Sequence, residues 1–404
     1  MGYRLINPYT IYITSFGSGI LFYALHWSSY YPPLQWPLII FFIFSFGVCL
    51  FFARNVYKNF VSLSSVPAIP GLQQIIGVTL LLYFLWIIEF IHAGGIPLFL
   101  ILFGKSFNYR TFGVPSLHVF LVTFSSFYTA YLFHVFLVCR KKIILFFCLL
   151  NLVVALLIMN RGMFLTNLST LFFIYILTKE SIRNILTLKR AAVLFATIII
   201  LFFLFGAMGT MRVSREIKRP YDRSLVYEVG NATLSFQKSI IPSEFFWSYI
   251  YLTSPLANLQ YNIVNTQPKL DLENFFLLLN NEVLPDALSK RITAQFNLVN
   301  KQNHQIAENL NASTVFSGSF TYWGWAGVLL IFSLLLVIPF LFRLMNLTES
   351  PWLITFLAMV NTLYLFLIFD NMISFTGFSF QLMYPILFSW LNKISKVSWK
   401  EIGL

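Results

Sequence analysis

Charged side chains are scarce in this chain, and the shortage is the first guide to its class. Of its 404 residues, 58% are hydrophobic and only 10% are charged, whereas soluble domains carry about 25% charged residues. The sequence therefore predicts a protein that resides in lipid. The net charge of +13 does not require a nucleic-acid partner, because basic residues flanking membrane spans account for it, and we find no nucleic-acid-binding motif.

Cysteines and metal-binding motifs are scarce as well. Cys49, Cys139 and Cys148 all fall within apolar segments, so they predict no disulfide framework. The sequence has no glycine-rich phosphate loop, no Cys/His metal set and no His-Glu-x-x-His motif. The first connection predicted on the outer side, about 26–36, contains no carboxylate. These absences favour chemistry without a metal or other cofactor, in which arginines stabilise the charge of a leaving group.

Long apolar segments fill most of the chain. A helix needs roughly 20 apolar residues to cross a bilayer, and ten segments have that character. They lie near 8–25, 37–53, 73–91, 114–138, 143–159, 163–178, 191–210, 319–341, 352–369 and 373–391. The sequence thus predicts an all-α polytopic membrane protein with about ten transmembrane helices. Segment 143–178 has a second interpretation, one long hairpin that turns at Asn160, Arg161 and Gly162.

Lysine and arginine are distributed unevenly between the two sets of short connections, and this asymmetry predicts orientation. One set holds most of them, including the basic run 140–142, and we assign it to the cytoplasm together with both termini. The chain then divides into helices 1–7 over 1–210, one long outer loop over 211–318 and helices 8–10 over 319–404.

Apolar residues recur at helical spacing within this outer loop. Segments 272–284 and 289–299 predict short helices, and 245–263 predicts a third that is cut at Pro255. We expect these helices to lie on the outer membrane surface rather than to form an independently folded soluble domain.

A cluster of five cations follows the seventh predicted span. They are Arg212, Arg215, Lys218, Arg219 and Arg223. The orientation rule disfavours positive charge on this side, and guanidinium groups bind phosphate oxygens through paired hydrogen bonds. Arg212 and Arg215 share one helix face if the span continues, so they predict a diphosphate site. The alternatives are contacts with anionic lipid or pairing with Glu216 and Asp222.

Four further residues are candidates at the outer side. Arg161 lies between two apolar segments, and an arginine at such depth usually has a partner; we predict that it faces the same anion as Arg212, the alternative being snorkelling to the interface. His304 is predicted as the general base, because histidine exchanges protons near neutral pH; the alternative is a solvated loop side chain. Glu89 and Asp370 could act as bases, although structural pairing is the favoured interpretation.

Four motifs are spread over most of the chain. They are Gly94-Gly95-Ile96-Pro97-Leu98 with Phe112-Gly113-Val114-Pro115; Arg161-Gly162; Tyr251-Leu252-Thr253-Ser254-Pro255-Leu256-Ala257-Asn258; and Asn311 through Phe316 leading into Gly324-Trp325-Ala326-Gly327. Together with the predicted topology, they resemble the bacterial Wzy-type O-antigen polymerases, also called oligosaccharide repeat unit polymerases.

The resemblance implies a GT-C-like, membrane-embedded glycosyltransferase on the periplasmic face of the bacterial inner membrane. Its substrates would be undecaprenyl-diphosphate-linked oligosaccharides, polymerised into O-antigen or a similar surface polysaccharide during lipopolysaccharide biosynthesis. Undecaprenyl diphosphate would leave, held by Arg161, Arg212 and Arg215. The resemblance further implies a chain-length regulator and a flippase as partners, besides membrane lipid, and no cofactor.

Two other functions stay open. The related O-antigen ligases carry a His-Asn pair ahead of the span-eight glycines, where this chain has Asn311-Ala312-Ser313-Thr314; the difference favours a polymerase. A lipid-linked oligosaccharide flippase or transporter would need charges lining a path through the spans, and few charges fall within the predicted spans.

Overall fold

The computed structural model describes residues 6–56, 67–103, 112–179, 188–216, 220 and 222–401. Throughout this part of the chain the regular structure is helical, and the β-type pairing is a single antiparallel bridge between Ser28 and Ala232. The predicted all-α class is confirmed for these residues.

The helices in chain order are α1 (Pro8–Tyr23), α2 (Trp36–Phe51), α3 (Leu72–His92), α4 (Pro97–Leu102), α5 (Leu117–Cys139), α6 (Lys142–Leu157), α7 (Arg161–Leu177), α8 (Leu188–Glu216), α9 (Leu225–Gly230), α10 (Leu234–Gln237), α11 (Glu244–Asn265), α12 (Leu272–Leu278), α13 (Asp286–Phe296), α14 (Ser317–Val337), α15 (Leu341–Leu344), α16 (Leu353–Phe366) and α17 (Thr376–Glu401). A π-helical turn, Leu279–Val283, follows α12 directly.

A helix occupies the position of each predicted span, namely α1, α2, α3, α5, α6, α7, α8, α14, α16 and α17. Within the described ranges, four helical stretches are long and apolar enough to cross a membrane. They are Trp36–Asn55, Leu72–His92, Leu117–Cys139 and Ser317–Leu344. The chain is therefore a membrane protein by the composition of its helices, while the count of ten spans remains a prediction.

Local sequence determines where several helices begin. At the start of α1, the Asn7 side chain accepts a hydrogen bond from the Thr10 amide, the Thr10 hydroxyl accepts one from the Asn7 amide, and Pro8 occupies the first helical position. At the start of α7, the Asn160 side chain accepts from the Met163 amide at 2.9 Å. This cap makes α6 and α7 two helices joined by a tight turn.

The bundle is organised around α16, whose residues Leu353 through Tyr364 are all buried. Helices α1, α5, α7 and α17 pack against it. His134 near the end of α5 meets Thr355 near the start of α16, with 3.2 Å between Nδ1 and Oγ1; these two helices are therefore antiparallel. Because α5, α6 and α7 follow one another through short turns, α7 runs parallel to α5 and antiparallel to α16.

One end of this bundle carries most of the polar contacts, and we call it the polar end. It is the end at which α1, α3, α8 and α16 finish and α2, α5, α7, α14 and α17 begin. Among the contacts that define it, the Val315 amide donates to the Leu367 carbonyl (2.9 Å), and the Gln35 amide donates to Gln260 on α11 (2.9 Å). The sequence assigned these same helix ends to one side of the membrane.

Helix α11 differs from the prediction in two respects. It runs unbroken from Glu244 to Asn265 with Pro255 inside it, so the predicted interruption at Pro255 is wrong. It is also largely buried, packed against α1, α8 and α14, rather than lying on an outer surface. Proline removes only one helical hydrogen bond, and tertiary packing on several sides keeps the helix continuous here.

Candidate functional site

Two asparagines one turn apart on α11 hold the polar end together. Asn258 Nδ2 donates to the carbonyls of Leu310 (2.5 Å) and Ala312 (2.6 Å), and its Oδ1 accepts from the Ile306 amide at 2.8 Å. Asn258 closes the Tyr251–Asn258 motif, and it has no exposed surface. The motif therefore anchors the segment that leads into α14.

Asn262 repeats this arrangement one turn later. Its Nδ2 donates to the Ser317 carbonyl (3.1 Å) and to Thr321 Oγ1 (2.8 Å), and its Oδ1 accepts from the His304 amide (2.9 Å) and from Thr266 Oγ1 (3.0 Å). Both groups of one buried amide thus join α11, the His304 segment and the first turn of α14. We call Asn258 and Asn262 the asparagine clamp.

The glycines of the α14 motif permit close packing. Gly324 has a left-handed φ of 58° and, with Trp323, breaks the helical geometry inside α14. A Cβ at Gly327 would lie 2.3 Å from the Ser319 carbonyl oxygen and 2.7 Å from Leu278 on α12. A side chain at Gly327 would push α12 away from α14, and one at Gly324 would meet Pro268 at 2.9 Å, so the motif has a structural role at the polar end.

A carboxyl group that the sequence did not single out lies beside this junction. Glu282 is on the π-helical turn after α12, and its Oε2 accepts from Asn371 Nδ2 at 2.8 Å. Asn371 Nδ2 also lies 2.8 Å from the Glu282 carbonyl oxygen. A Cβ at Gly318, in the first turn of α14, would lie 1.8 Å from Glu282 Oε1. Three chain segments therefore enclose this carboxyl.

The pKa of Glu282 is raised from 4.5 to about 8, chiefly because the carboxyl is buried. The hydrogen bond from Asn371 lowers this pKa, and the nearby negative charge of Asp370 raises it further. Part of the side chain remains accessible. The group is mostly protonated at neutral pH and can exchange a proton near that pH.

Among the described residues, no three His, Cys, Asp or Glu side chains come together in a way that could hold a metal ion.

The stability of the protein should depend on pH through Glu282. Because the pKa is higher in the folded state than in the unfolded chain, the folded state binds more protons, and stability falls as pH rises from about 4.5 to about 8. We expect Glu282→Gln to match the wild type at pH 5 and to exceed it by about 2 kcal/mol at pH 9, a value reduced for partial exposure. Thermal unfolding in detergent at the two pH values measures this difference. Equal changes in stability at pH 5 and pH 9 would contradict this expectation. Glu273→Gln, at an exposed position of α12, is the control.

Arg161 is the first residue of α7 and is exposed at the polar end. It makes no ion pair with any described acidic residue. A cation at a helix N-terminus faces the positive end of the helix dipole, which is unfavourable by about 0.3–1 kcal/mol. An external anion would relieve this and would also meet the free amides of the first turn.

His304 lies between α13 and α14 with an exposed side chain. Its contact with the clamp is through its backbone amide, which places it near the first turn of α14. The imidazole is accessible at the polar end, as a general base would have to be.

The basic cluster divides into described and undescribed parts. Arg212 and Arg215 belong to the backbone of α8, which continues to Glu216; their side chains, together with Lys218 and Arg219, lie outside the described residues. Arg223 is 71% exposed and pairs with the buried Glu244, with 3.3 Å between Nε and Oε1. Of the two carboxylates considered from sequence, Asp222 accepts hydrogen bonds from the amide and hydroxyl of Ser224, and the Glu216 side chain lies outside the described residues.

The end of α8 that carries Arg212 and Arg215 and the segment that carries His304 contact different parts of α11. Thr210, shortly before the arginines of α8, accepts a hydrogen bond from Trp247 Nε1 at 2.9 Å. Asn262, which holds His304, is fifteen residues further along α11, roughly 22 Å at helical rise. Trp247 and Asn262 thus bring the backbone of α8 and the His304 segment to opposite parts of α11.

Of the two acidic candidates, Glu89 has a structural partner. It is fully buried, and its carboxylate accepts from the Val114 amide (3.2 Å) and contacts His118 Nδ1 at 2.8 Å. Gly113, at φ 94°, lets the chain pass close to the His118 ring. The structural pairing favoured for Glu89 is therefore confirmed. Asp370 makes no ion pair with an arginine among the described residues, and it lies near Glu282.

Sequence reasoning missed Glu282, Asn262 and Asn371. Glu282 and Asn371 are 89 positions apart, and no local pattern connects them. The available signal was a glutamate near the end of the apolar segment 272–284.

Comparisons of this chain with protein-family models, with curated proteins and with solved structures found no match.

Proposed function

We propose that this chain is a membrane-embedded, GT-C-like glycosyltransferase that polymerises undecaprenyl-diphosphate-linked oligosaccharides on the periplasmic face of the bacterial inner membrane. Both termini lie in the cytoplasm, and ten helices span the membrane. The proposal continues the resemblance to Wzy-type polymerases, and the product is O-antigen or a similar surface polysaccharide.

The observation that carries the proposal is the one-sided polar end of an apolar bundle. The asparagine clamp, Arg161 and His304 all lie there, and the motifs that carry the resemblance supply Asn258 of the clamp and the glycines of α14. A transferase whose donor and acceptor are both membrane-anchored needs such a site at the membrane surface.

In this reaction a hydroxyl of the incoming unit attacks the anomeric carbon of the growing chain, and polyprenyl diphosphate leaves. Arg161, Arg212 and Arg215 hold the departing diphosphate, whose charge grows during the reaction. The sequence assigns removal of the hydroxyl proton to His304.

The main alternative from another class, a flippase or ion-coupled transporter, predicts charges along the bundle interior. Among the described residues, the fully enclosed carboxylates are Glu89 and Glu244, and both lie at the polar end. The interior between α5, α7 and α16 holds Ser, Thr and Asn side chains and His134, and no buried Asp, Glu, Lys or Arg among the described residues. This distribution favours a transferase.

The function is tested with the purified protein in nanodiscs. The probe is the pool of lipid-linked oligosaccharides extracted from a deletion mutant of the source organism, from which the gene for this protein has been removed. A ladder of products supports the polymerase, a single transfer to lipid A core indicates a ligase, and unchanged substrate indicates neither.

Arg161 and the α8 arginines should act through the leaving group. We expect Arg161→Ala and Arg212→Ala each to lower kcat on the order of 10–100-fold, and the corresponding lysine variants to recover only part of it, because lysine lacks the planar paired donors. Rates of ladder formation measure the effect. Arg54→Ala, at an exposed position on the opposite end, should keep full activity, and unchanged rates in all arginine variants would refute this assignment.

A further inference from the structure

Glu282 differs from three other carboxyls at the polar end, those of Asp286, Glu244 and Glu89, in the absence of a positively charged or histidine partner within the part of the chain that the structure describes. Asp286 is held by the Thr376 amide (2.9 Å) and by Lys290 (2.9 Å), Glu244 is held by Arg223, and Glu89 by His118. Glu282 has no cation partner among the described residues. Its neighbours are the Asn371 amide, the carboxyl of Asp370 and the phenol of Tyr322.

The two oxygens of Glu282 have different environments. Oε2 accepts the hydrogen bond from Asn371. No described group donates to Oε1, although this oxygen faces the first turn of α14, where only the absence of a side chain at Gly318 leaves room for it. The carboxyl is thus fixed through one oxygen and has the other free for a further hydrogen bond.

A purely structural role would not require an acid at this position. The hydrogen bond that Asn371 donates to Oε2 would be accepted equally well by the amide oxygen of glutamine. An enclosed carboxyl without a cation costs stability, and π-helical turns such as the one that carries Glu282 occur frequently at functional sites.

The proposed transfer needs one proton acceptor at the polar end. The diphosphate leaves as an anion and takes the electron pair of the broken bond, so it needs no proton. The attacking sugar hydroxyl must lose its proton as its oxygen bonds to the anomeric carbon.

We propose that Glu282 Oε1 is the proton acceptor for the attacking hydroxyl, an assignment that rests on the proposed function. The O–H bond of the acceptor breaks, its proton passes to Oε1, and its oxygen bonds to the anomeric carbon. The bond from that carbon to the diphosphate oxygen breaks, with its electron pair remaining on the diphosphate. Glu282 then releases the proton to water.

Two further observations agree with this assignment. Asn371 and Gly318 fix the Glu282 carboxyl between three chain segments, whereas His304 is anchored through its backbone and exposes its ring. A carboxylate with a pKa of about 8 is also a stronger base than an ordinary one and titrates near working pH.

The experiment compares kcat and KM of ladder formation between pH 6 and 9.5, using the full chain in nanodiscs and the extracted lipid-linked pool. For the wild type, we expect kcat to rise about tenfold per pH unit below pH 8 and to level off above it. Glu282→Gln should lower kcat at least about 100-fold, leave KM within about twofold and abolish the pH-dependent rise. Glu282→Asp should keep the rise at a lower rate, and Glu273→Gln should behave as the wild type.

The outcomes separate the two proposals. If the wild type forms no ladder from this pool, the proposed function fails and the assignment of Glu282 falls with it. If the wild type forms ladders but Glu282→Gln keeps its rate and pH profile, only the assignment of Glu282 is refuted. If the rise with pH is lost in His304→Ala and kept in Glu282→Gln, His304 is the base. Thermal unfolding of each variant excludes misfolding, and Glu282→Asp carries the test if the glutamine variant does not fold.

Discussion

Replacing Asn262 by alanine should lower the free energy of unfolding by about 3 kcal/mol or more. The side chain has no exposed surface and makes four hydrogen bonds to three chain segments. Its removal leaves the His304 amide and the Thr266 hydroxyl without these partners, whereas the Ser317 carbonyl still accepts from the Thr321 hydroxyl. Each buried group that loses its partner costs about 1–3 kcal/mol, so two such groups account for the expected loss.

The measurement is thermal or denaturant unfolding in detergent micelles, with Asn265→Ala as the matched control. Asn265 lies on the same helix, but it is exposed and its side chain donates to a carbonyl one turn back; we expect a change within about 0.5 kcal/mol. Asn258→Ala should resemble Asn262→Ala, because its amide holds three backbone groups in the same way. Equal, small effects at positions 262 and 265 would show that the clamp does not stabilise the polar end.

The clamp also connects stability with the proposed reaction. Asn262 holds both the His304 segment and the first turn of α14, and Gly318 in that turn contacts the Glu282 carboxyl. Loss of the clamp should therefore lower kcat as well as stability, whichever of the two residues accepts the proton. This coupling follows from the fold alone and does not distinguish Glu282 from His304.

The positions of the membrane-type helices could be predicted from the sequence, because long apolar segments have a strong local signal. The predicted span 73–91 became Leu72–His92, and 114–138 became Leu117–Cys139. The alternating orientation also brought Arg161 and the Tyr251–Asn258 motif to one side, where the structure gathers the corresponding helix ends.

The burial of α11 could not be predicted in this way. Its sequence mixes aromatic residues with Ser, Thr, Asn and Gln, which is also typical of a helix lying at a membrane interface. Its polar residues are buried because their partners are distant in sequence: Thr253 bonds Tyr31, and Gln260 bonds the Gln35 amide. A single sequence contains no local record of such pairings, and the same reason hid Glu282 and Asn371.

Gly206 provides the second large prediction, because it allows α8 to approach the backbone of α11. A Cβ at this position would lie 1.9 Å from the Glu244 carbonyl oxygen and 2.5 Å from its carbon. No rotation of a side chain relieves a contact between two backbones, so α8 and α11 must separate. We expect Gly206→Ala to destabilise the protein by about 2–3 kcal/mol and to weaken the hydrogen bond between Thr210 and Trp247, one turn further along.

The sign of the change distinguishes this contact from a general effect of glycine in helices. Alanine is intrinsically better than glycine within a helix by about 1 kcal/mol, and Gly17 in α1 and Gly77 in α3 have no atom within 4 Å of an added Cβ. Alanine at either position should therefore leave stability unchanged or raise it. Gly206→Ala should lower stability and also slow ladder formation, because Arg212 and Arg215 follow within three turns on α8. If Gly206→Ala were as stable and active as Gly17→Ala, the close contact between α8 and α11 would be incorrect, and with it the placement of the basic cluster beside α11.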